Sequence, residues 1–256
     1  MTTSAQTVVL QSQRPDRLEG WQGECCLSVK RWAEGHGFGY ELWGDEIFDF
    51  LPAALREKFS DQPVVLSDLA RIYLLRETLD GGAQSAIWCD ADVLVFHDFQ
   101  PATVRESFGR ECWLQLQDGK LKRYRKIHNA WLQFSAKSPV LDFYLDRAQS
   151  LLEAVEGPVV PQFIGPKLLT AWHNMVPFTV EERVGMLSPL AANALLGNDE
   201  VTLSSLGDGH GAVLCALNLS ASCEGRQTDG VTLKESDYRA LIDGLQSGDL
   251  AQRLRS

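Results

Sequence analysis

The period of the apolar positions changes several times along this chain, and each change predicts an element. Thr7-Val8-Val9-Leu10-Gln11 is a short, nearly unbroken apolar run, the pattern of a buried strand. Over residues 20–35 the spacing becomes helical, with Trp21, Cys25, Leu27, Val29 and Trp32 on the core side. Gly35, Gly37 and Gly39 end that helix. Tyr40-Glu41-Leu42-Trp43 is a second strand, and strand, helix and strand at this spacing predict a parallel βαβ unit. A short helix is expected over 52–59. A longer one follows over 64–78, with Leu66, Leu69, Ile72, Tyr73 and Leu75 as its apolar stripe and Asp80-Gly81-Gly82 as its stop. Ser85-Ala86-Ile87-Trp88-Cys89 is an apolar strand that runs into Asp90-Ala91-Asp92, and Val93-Leu94-Val95-Phe96 continues the apolar run. Further strands are predicted over 111–116 and 130–134, separated by a basic loop over 120–126. Helices over 139–155, 163–172 and 236–245, and a last strand over 213–217, complete the reading; the stretch after Asn174 has otherwise no clear period.

Length and composition narrow the class. A chain of 256 residues suits one large α/β domain, and 45% hydrophobic with 23% charged residues is ordinary for a globular protein. The net charge of −10 argues against a nucleic-acid binder. Six cysteines without a Cys-x-x-Cys pair or zinc spacing give no metal or disulfide framework, and Cys89 reads as a small buried hydrophobe. No run approaches the roughly 20 apolar residues of a membrane span, and the first residues lack a signal-peptide pattern. The expectation is a cytoplasmic protein with no transmembrane segment, though peripheral membrane contact stays open.

The chemistry concentrates at Asp90 and Asp92. Residues two apart on an extended strand share a side, so both carboxylates can meet one ligand. They follow a buried strand, which places them at the carboxyl edge of the sheet, where open α/β sheets bind ligands. Close carboxylates repel unless a cation joins them. Mg²⁺ or Mn²⁺ suits such oxygen ligands and can also hold a diphosphate. Asp-x-Asp alone, however, is more often a cap or a solvated turn. Asp68 and Arg71 lie three apart and therefore on one helix face, which on its own is a surface ion pair.

Taken together, Ser67-Asp68-x-x-Arg71, a helix stop at Gly81-Gly82 and then Trp88-x-Asp90-x-Asp92 resemble the sugar-binding region of DXD-motif glycosyltransferases. That family is related to capsular-polysaccharide synthesis enzymes, yeast-type mannosyltransferases and large bacterial toxin glucosyltransferases. The close match covers residues 65–99, and Asn129-Ala130 and Ile164-Gly165-Pro166 are similar to recurring family segments. One departure is the connection after Gly81-Gly82, which is longer than the family's Gly-Gly-x-Tyr. The resemblance implies a GT-A-like α/β sandwich, with a mixed, mostly parallel central sheet flanked by helices. It implies one domain over 1–256, with a donor-binding core over about 5–135 and acceptor-side elements after it. It further implies transfer of a hexose from a UDP- or GDP-sugar to a hydroxyl of a sugar, lipid-linked or protein acceptor, as in surface polysaccharide or glycolipid synthesis. Asp68 and Arg71 would grip the donor sugar. Gln11, Trp88, Asp90 and Asn129 would line the donor site. Asp90, Asp92 and a late ligand, Asn218 in preference to His210, would hold Mn²⁺ or Mg²⁺. Arg71 and Asp92 would be the catalytic pair.

Two other readings fit parts of the pattern. In a haloacid-dehalogenase-type phosphatase Asp90 would be the nucleophile and Asp92 the acid/base, but that motif normally opens its domain and needs a later strand ending in paired acids. A nucleotide-binding module without turnover would keep the fold alone. The run at 120–126 is either a solvated loop or an acceptor or lid segment that takes phosphate. Trp21 or Trp131 is a candidate to stack on a base or a sugar.

Overall fold

The computed structural model describes residues 7–254. Its centre is a six-stranded sheet. In chain order the strands are β1 (Thr7–Ser12), β2 (Gly39–Trp43), β3 (Ser85–Cys89), β5 (Glu106–Gln117), β6 (Lys120–Ser135) and β7 (Val180–Glu181), and they lie in the order β2-β1-β3-β6-β5-β7. β2, β1 and β3 run parallel, β6 is antiparallel to both of its neighbours, and β7 is parallel to β5. β4 (Val93–Val95), β8 (Val184–Met186) and β9 (Ala216–Asn218) form a second, three-stranded sheet in the order β4-β9-β8.

The central sheet is covered by helices on both faces, as an α/β sheet with apolar strands requires. β1 shows why: Leu10 packs in one core cluster and Val9 in another, on opposite sides of the pleat. The Leu10 side is covered by α2 (Ala53–Lys58), α3 (Pro63–Asp80) and α4 (Pro139–Ala154), and the Val9 side by α1 (Trp21–Gly35). A third cluster joins the second sheet to α6 (Pro189–Gly197), α7 (Glu200–Gly207) and α8 (Glu235–Ser247).

The predicted β1–α1–β2 unit is present and parallel. α1 buries Trp21, Cys25, Val29 and Trp32, but Leu27 is exposed, because a position two residues from Cys25 points to the far side of a helix. The run after Asp92 does not prolong β3. It turns away into the second sheet, where Val93 pairs with Asn218. The segment over 120–126 is not a loop: it is the outer half of β6, joined to β5 by a two-residue turn at Asp118 and Gly119, with φ of 52° and 70°. Asp-Gly with both residues left-handed is the turn a tight hairpin requires, and the dipeptide was the available signal. The helix expected over 163–172 is divided. A π-helical turn at Phe163–Lys167, irregular at Gly165, precedes α5 (Leu168–Met175). α6 and α7 follow serine and aspartate caps, Ser188 accepting from Ala191 N and Asp199 from Thr202 N. Among the described residues no helix is long and apolar enough to cross a membrane.

Candidate active site

The site is built where β1 and β3 end. Gln11 at the end of β1 is completely buried; its Nε2 donates to the Asp90 carbonyl at 3.0 Å, and its Oε1 accepts from Tyr40 Oη at 2.9 Å. Asp90 N donates to the Ala130 carbonyl on β6 and Val93 N to the Asp90 carbonyl, so the turn at Asp90 is fixed from three sides.

Arg71 on α3 is the hub. Its Nη1 donates to Asp90 Oδ1 at 2.8 Å and to the Asn129 carbonyl at 3.0 Å, its Nε donates to the Ser67 carbonyl at 3.2 Å, and its Nη2 lies 3.1 Å from Asp68 Oδ1. The guanidinium also lies 5.1 Å from the centre of the Trp88 ring, within cation–π range. Trp88 Nε1 adds a second bond to Asp90 Oδ1 at 2.7 Å, and Asn129 Nδ2 donates to Asp68 Oδ1 at 2.8 Å. The segment after Gly81-Gly82 therefore does not separate Arg71 from the acidic pair.

Contrary to a surface ion pair, Asp68 and Arg71 are buried, at 4% and 7% exposure. Burial pushes the Asp68 carboxyl up to about 6, against the pull of Arg71 and Asn129. Burial works against the charge of Arg71, but Asp90 and Asp68 outweigh it and its pKa rises. One guanidinium thus serves two carboxylates, and the deeper one is left under-compensated. Gly165 closes this cluster. A methyl group there would lie 2.6 Å from Asn129 Nδ2 and 2.7 Å from Asp68 Oδ2, so only glycine lets the π-helical turn approach. Tyr144 Oη holds the same turn through the Ile164 carbonyl at 2.9 Å.

Asp92 belongs to a different set of contacts. Its Oδ1 accepts from Asn218 Nδ2 at 2.6 Å, and its Oδ2 accepts from Ala221 N at 2.8 Å. The Asn218 amide cannot be turned round, because its Oδ1 accepts from Ser220 N at 2.8 Å. Ser220 is left-handed, with φ of 58°, and that conformation turns the backbone so that Ala221 N faces the carboxylate. Ser220 Oγ is bonded to the Leu187 carbonyl, and Tyr238 Oη on α8 reaches the Ser220 carbonyl at 3.3 Å. Tyr238 is stacked flat on Trp21, with ring centres 4.3 Å apart and 4° between planes. Burial, then the neighbouring Asp90 charge, raise the Asp92 carboxyl to about 6.

Several expectations change in this geometry. Gln11, Trp88 and Asn129 are buried and occupied with Asp90, Arg71 and Asp68, so they shape the site from beneath and do not line it. Asn218 donates to Asp92 Oδ1 and accepts one bond from Ser220 N, so it orients that carboxylate while its Oδ1 keeps a second lone pair. His210 lies elsewhere, its Nδ1 3.2 Å from the Glu182 carbonyl. Trp131 is completely buried and Trp21 is covered by Tyr238, so neither ring is free to stack on a ligand. Asp90, a quarter of its side chain exposed, and Asp92 are the acids that reach the surface. Among the described residues no group of three or more His, Cys, Asp or Glu side chains is arranged to hold a metal. Ala221, Ser220 and Tyr238 carried no sequence signal, since a backbone N–H and a buried tyrosine look alike wherever they serve.

No family model matches the chain, and no curated protein does. Solved structures are similar in outline. A glycosyltransferase involved in glycosylation of the major capsid of PBCV-1 has 10% identity and a TM-score of 0.48, covering 93% of this chain and 98% of that one. The galactosyltransferase LgtC, in complex with donor and acceptor sugar analogs, has 12% identity and a TM-score of 0.47, covering 93% and 95%. Mouse xyloside xylosyltransferase 1 has 10% identity and a TM-score of 0.44, covering 84% and 97%. Likeness at this level leaves the activity to be argued from the residues of the site.

Proposed function

We propose that the protein is a GT-A-like glycosyltransferase that moves a hexose from a UDP- or GDP-sugar to a hydroxyl acceptor. The observation that supports this most is the convergence of Asp68, Arg71, Trp88, Asp90 and Asn129 on one network at the carboxyl edge of parallel strands, with Asp92 beside it in the turn after β3, held by Asn218 of the second sheet. Buried ionisable groups with shifted pKa values concentrate at functional sites, and sheet edges of this kind hold ligands.

The donor set fits Mn²⁺ or Mg²⁺. Both hydrogen bonds to Asp90 converge on Oδ1, which leaves Oδ2 for a cation, and each Asp92 oxygen accepts one bond and keeps a lone pair. Such ions are commonly held by one or two carboxylates with substrate phosphates and water completing the shell, so a third protein ligand is not required. When bound, the ion would neutralise charge on the departing diphosphate. Arg71 would orient Asp90 for the donor, Asn218 and Ala221 would hold Asp92 in place, and Asp68 with Asn129 would fix the guanidinium.

A thermal-shift panel with UDP, GDP and their hexose conjugates, with and without Mn²⁺, tests the proposal. A ligand specific to the folded state raises Tm by mass action. A metal-dependent rise with one nucleotide is expected. No rise with any of them, together with a rise from Mg²⁺ and a phosphate mimic, would overturn it.

A further inference from the structure

The hairpin of β5 and β6 extends well beyond the rest of the sheet. β6 pairs with β3 only from Trp131 to Ser135, with Trp131 opposite Cys89, so the residues before Trp131 run past the carboxyl end of β3, where Asp90 sits. The hairpin therefore stands as a wall beside the candidate active site, rooted at Asn129. Its cross-strand pairs define two faces. Cys112, Leu114, Leu121, Arg123 and Arg125 share one face. Cys112 and Leu114 are buried in the third core cluster, while Arg123 is bonded to the Ser205 carbonyl and Arg125 to Glu182. The other face pairs Trp113 with Tyr124, Glu111 with Lys126, Gln115 with Lys122 and Gln117 with Lys120.

On this second face two side-chain contacts are internal: buried Glu111 is ion-paired with Lys126 Nζ at 3.5 Å, and Tyr124 Oη donates to Gln117 Oε1 at 3.0 Å. Trp113 is half-buried, belongs to no core cluster, and has no ring contact or hydrogen bond among the described residues. Tyr124 lies opposite it, with Lys126 Nζ 5.8 Å from its ring centre. Lys120 and Lys122 are exposed and have no ion-pair partner among the described residues. In a chain with a net charge of −10, a tryptophan–tyrosine platform flanked by lysines creates a local positive, aromatic strip. Such rings bury a large apolar face at small entropic cost, while ammonium groups take acids.

We propose that this strip binds the acceptor, and that the acceptor is an acidic oligosaccharide bearing uronate carboxylates. The inference rests on the glycosyltransferase reading for the word acceptor, but the binding itself does not. Aromatic rings match the apolar faces of pyranose rings, and the ammonium groups of Lys120 and Lys122, unpaired among the described residues, match carboxylates. A polyphosphate offers nothing to the rings. Five residues separate Asn129 from Tyr124, about 17 Å of strand at roughly 3.3 Å per residue, so a chain of several sugars would reach from the strip to Asp90 and Asp92. A local cationic strip would also draw an anionic chain to an otherwise repelling protein, with the attraction weakened by salt.

Calorimetric titration of the full chain with tetragalacturonate, neutral maltotetraose and tripolyphosphate tests this. Tetragalacturonate is expected to bind at low salt, and both Trp113→Ala and Lys122→Glu to weaken it about tenfold or more. Maltotetraose should bind at least about tenfold more weakly, and tripolyphosphate should respond to Lys122→Glu but not to Trp113→Ala. Melting curves confirm folding, and Trp113→Phe and Tyr124→Ala replace any variant that does not fold. No tetragalacturonate binding, or binding indifferent to both substitutions, overturns the proposal. A response to Lys122→Glu alone overturns it too, and marks a general anion patch. Absence of any nucleotide-dependent thermal shift in the native chain, with tetragalacturonate binding retained, would count against the function proposed above and not against the strip.

Discussion

Replacing Gly165 by alanine probes how tightly the buried cluster is built. The new methyl would sit 2.6 Å from Asn129 Nδ2 and 2.7 Å from Asp68 Oδ2, both far inside van der Waals contact. Neither side chain can swing clear. Asn129 is held by Asp68 at 2.8 Å, and Asp68 is held by Arg71 at 3.1 Å. Relief must come from breaking the Asn129–Asp68 bond or from lifting the π-helical turn, which Tyr144 holds through Ile164. Overpacking of this kind and the loss of a bond to a carboxylate each cost about 1–3 kcal/mol, and because they are alternative reliefs we expect a total of about 2–3 kcal/mol. For a chain of this size that lowers Tm by roughly 5–10 °C. Urea unfolding with an unchanged m-value is the assay. The companion variant Asn129→Ala removes one of the two collisions, so adding Gly165→Ala to it should cost less than adding it to the native chain. A Gly165→Ala midpoint equal to that of the native protein, or strict additivity with Asn129→Ala, would refute the reasoning.

Three further outcomes follow from the same geometry. Asp92→Asn should abolish sugar transfer while leaving Tm within a few degrees of native, since the neutral amide avoids a charge that burial and Asp90 already disfavour; retained transfer would show that Asp92 is not part of the chemistry. Asp68 has a folded pKa of about 6, above its ordinary 3.8, so the folded state binds the extra proton and Asp68 destabilises the protein progressively as pH rises from about 4 to 6. Asp68→Asn should lack this penalty, and the stability difference should move in the variant's favour by on the order of 3 kcal/mol across that window and then stay flat; parallel curves from pH 4 to 7 would show that burial does not govern this carboxyl. Tyr238→Phe removes the hydroxyl that meets the Ser220 carbonyl and should cost about 1 kcal/mol in urea unfolding, with a smaller metal-dependent thermal shift as the Asp92 loop loosens; an unaltered metal response would confine Tyr238 to packing.

Much of the scaffold was legible along the chain. The short apolar run of β1, the apolar stripe of α3 and the glycine stops are local signals, because a buried strand or a helix face shows in the order of neighbouring residues whatever surrounds it. Asp68, Arg71, Trp88 and Asp90 were singled out through the resemblance, which was readable because they lie within a single short segment; their convergence on one buried network was not. The same locality explains the errors. Val93-Leu94-Val95 has the composition of a strand, but composition does not say which sheet it joins, and its pairing with Ala216–Asn218 is a contact across more than a hundred residues. The basic segment read as a loop because charge was weighed above the Asp118-Gly119 turn, and the alternation of one buried and one lysine-bearing face becomes visible only when β5 lies beside it.

What the sequence by itself determined is the inventory: which stretches are strands and helices, and which acids and arginine stand at their ends. The tertiary structure decided what those groups do to one another. It buried Arg71 between Asp68 and Asp90, set Asn129 against Asp68 and Asn218 against Asp92, and brought Ser220, Ala221 and Tyr238 under Asp92 from the far end of the chain. The physical reason is that desolvation and charge pairing depend on distance in space, and a backbone N–H or a tyrosine hydroxyl acquires a role only from what the fold places within 3 Å or so of it.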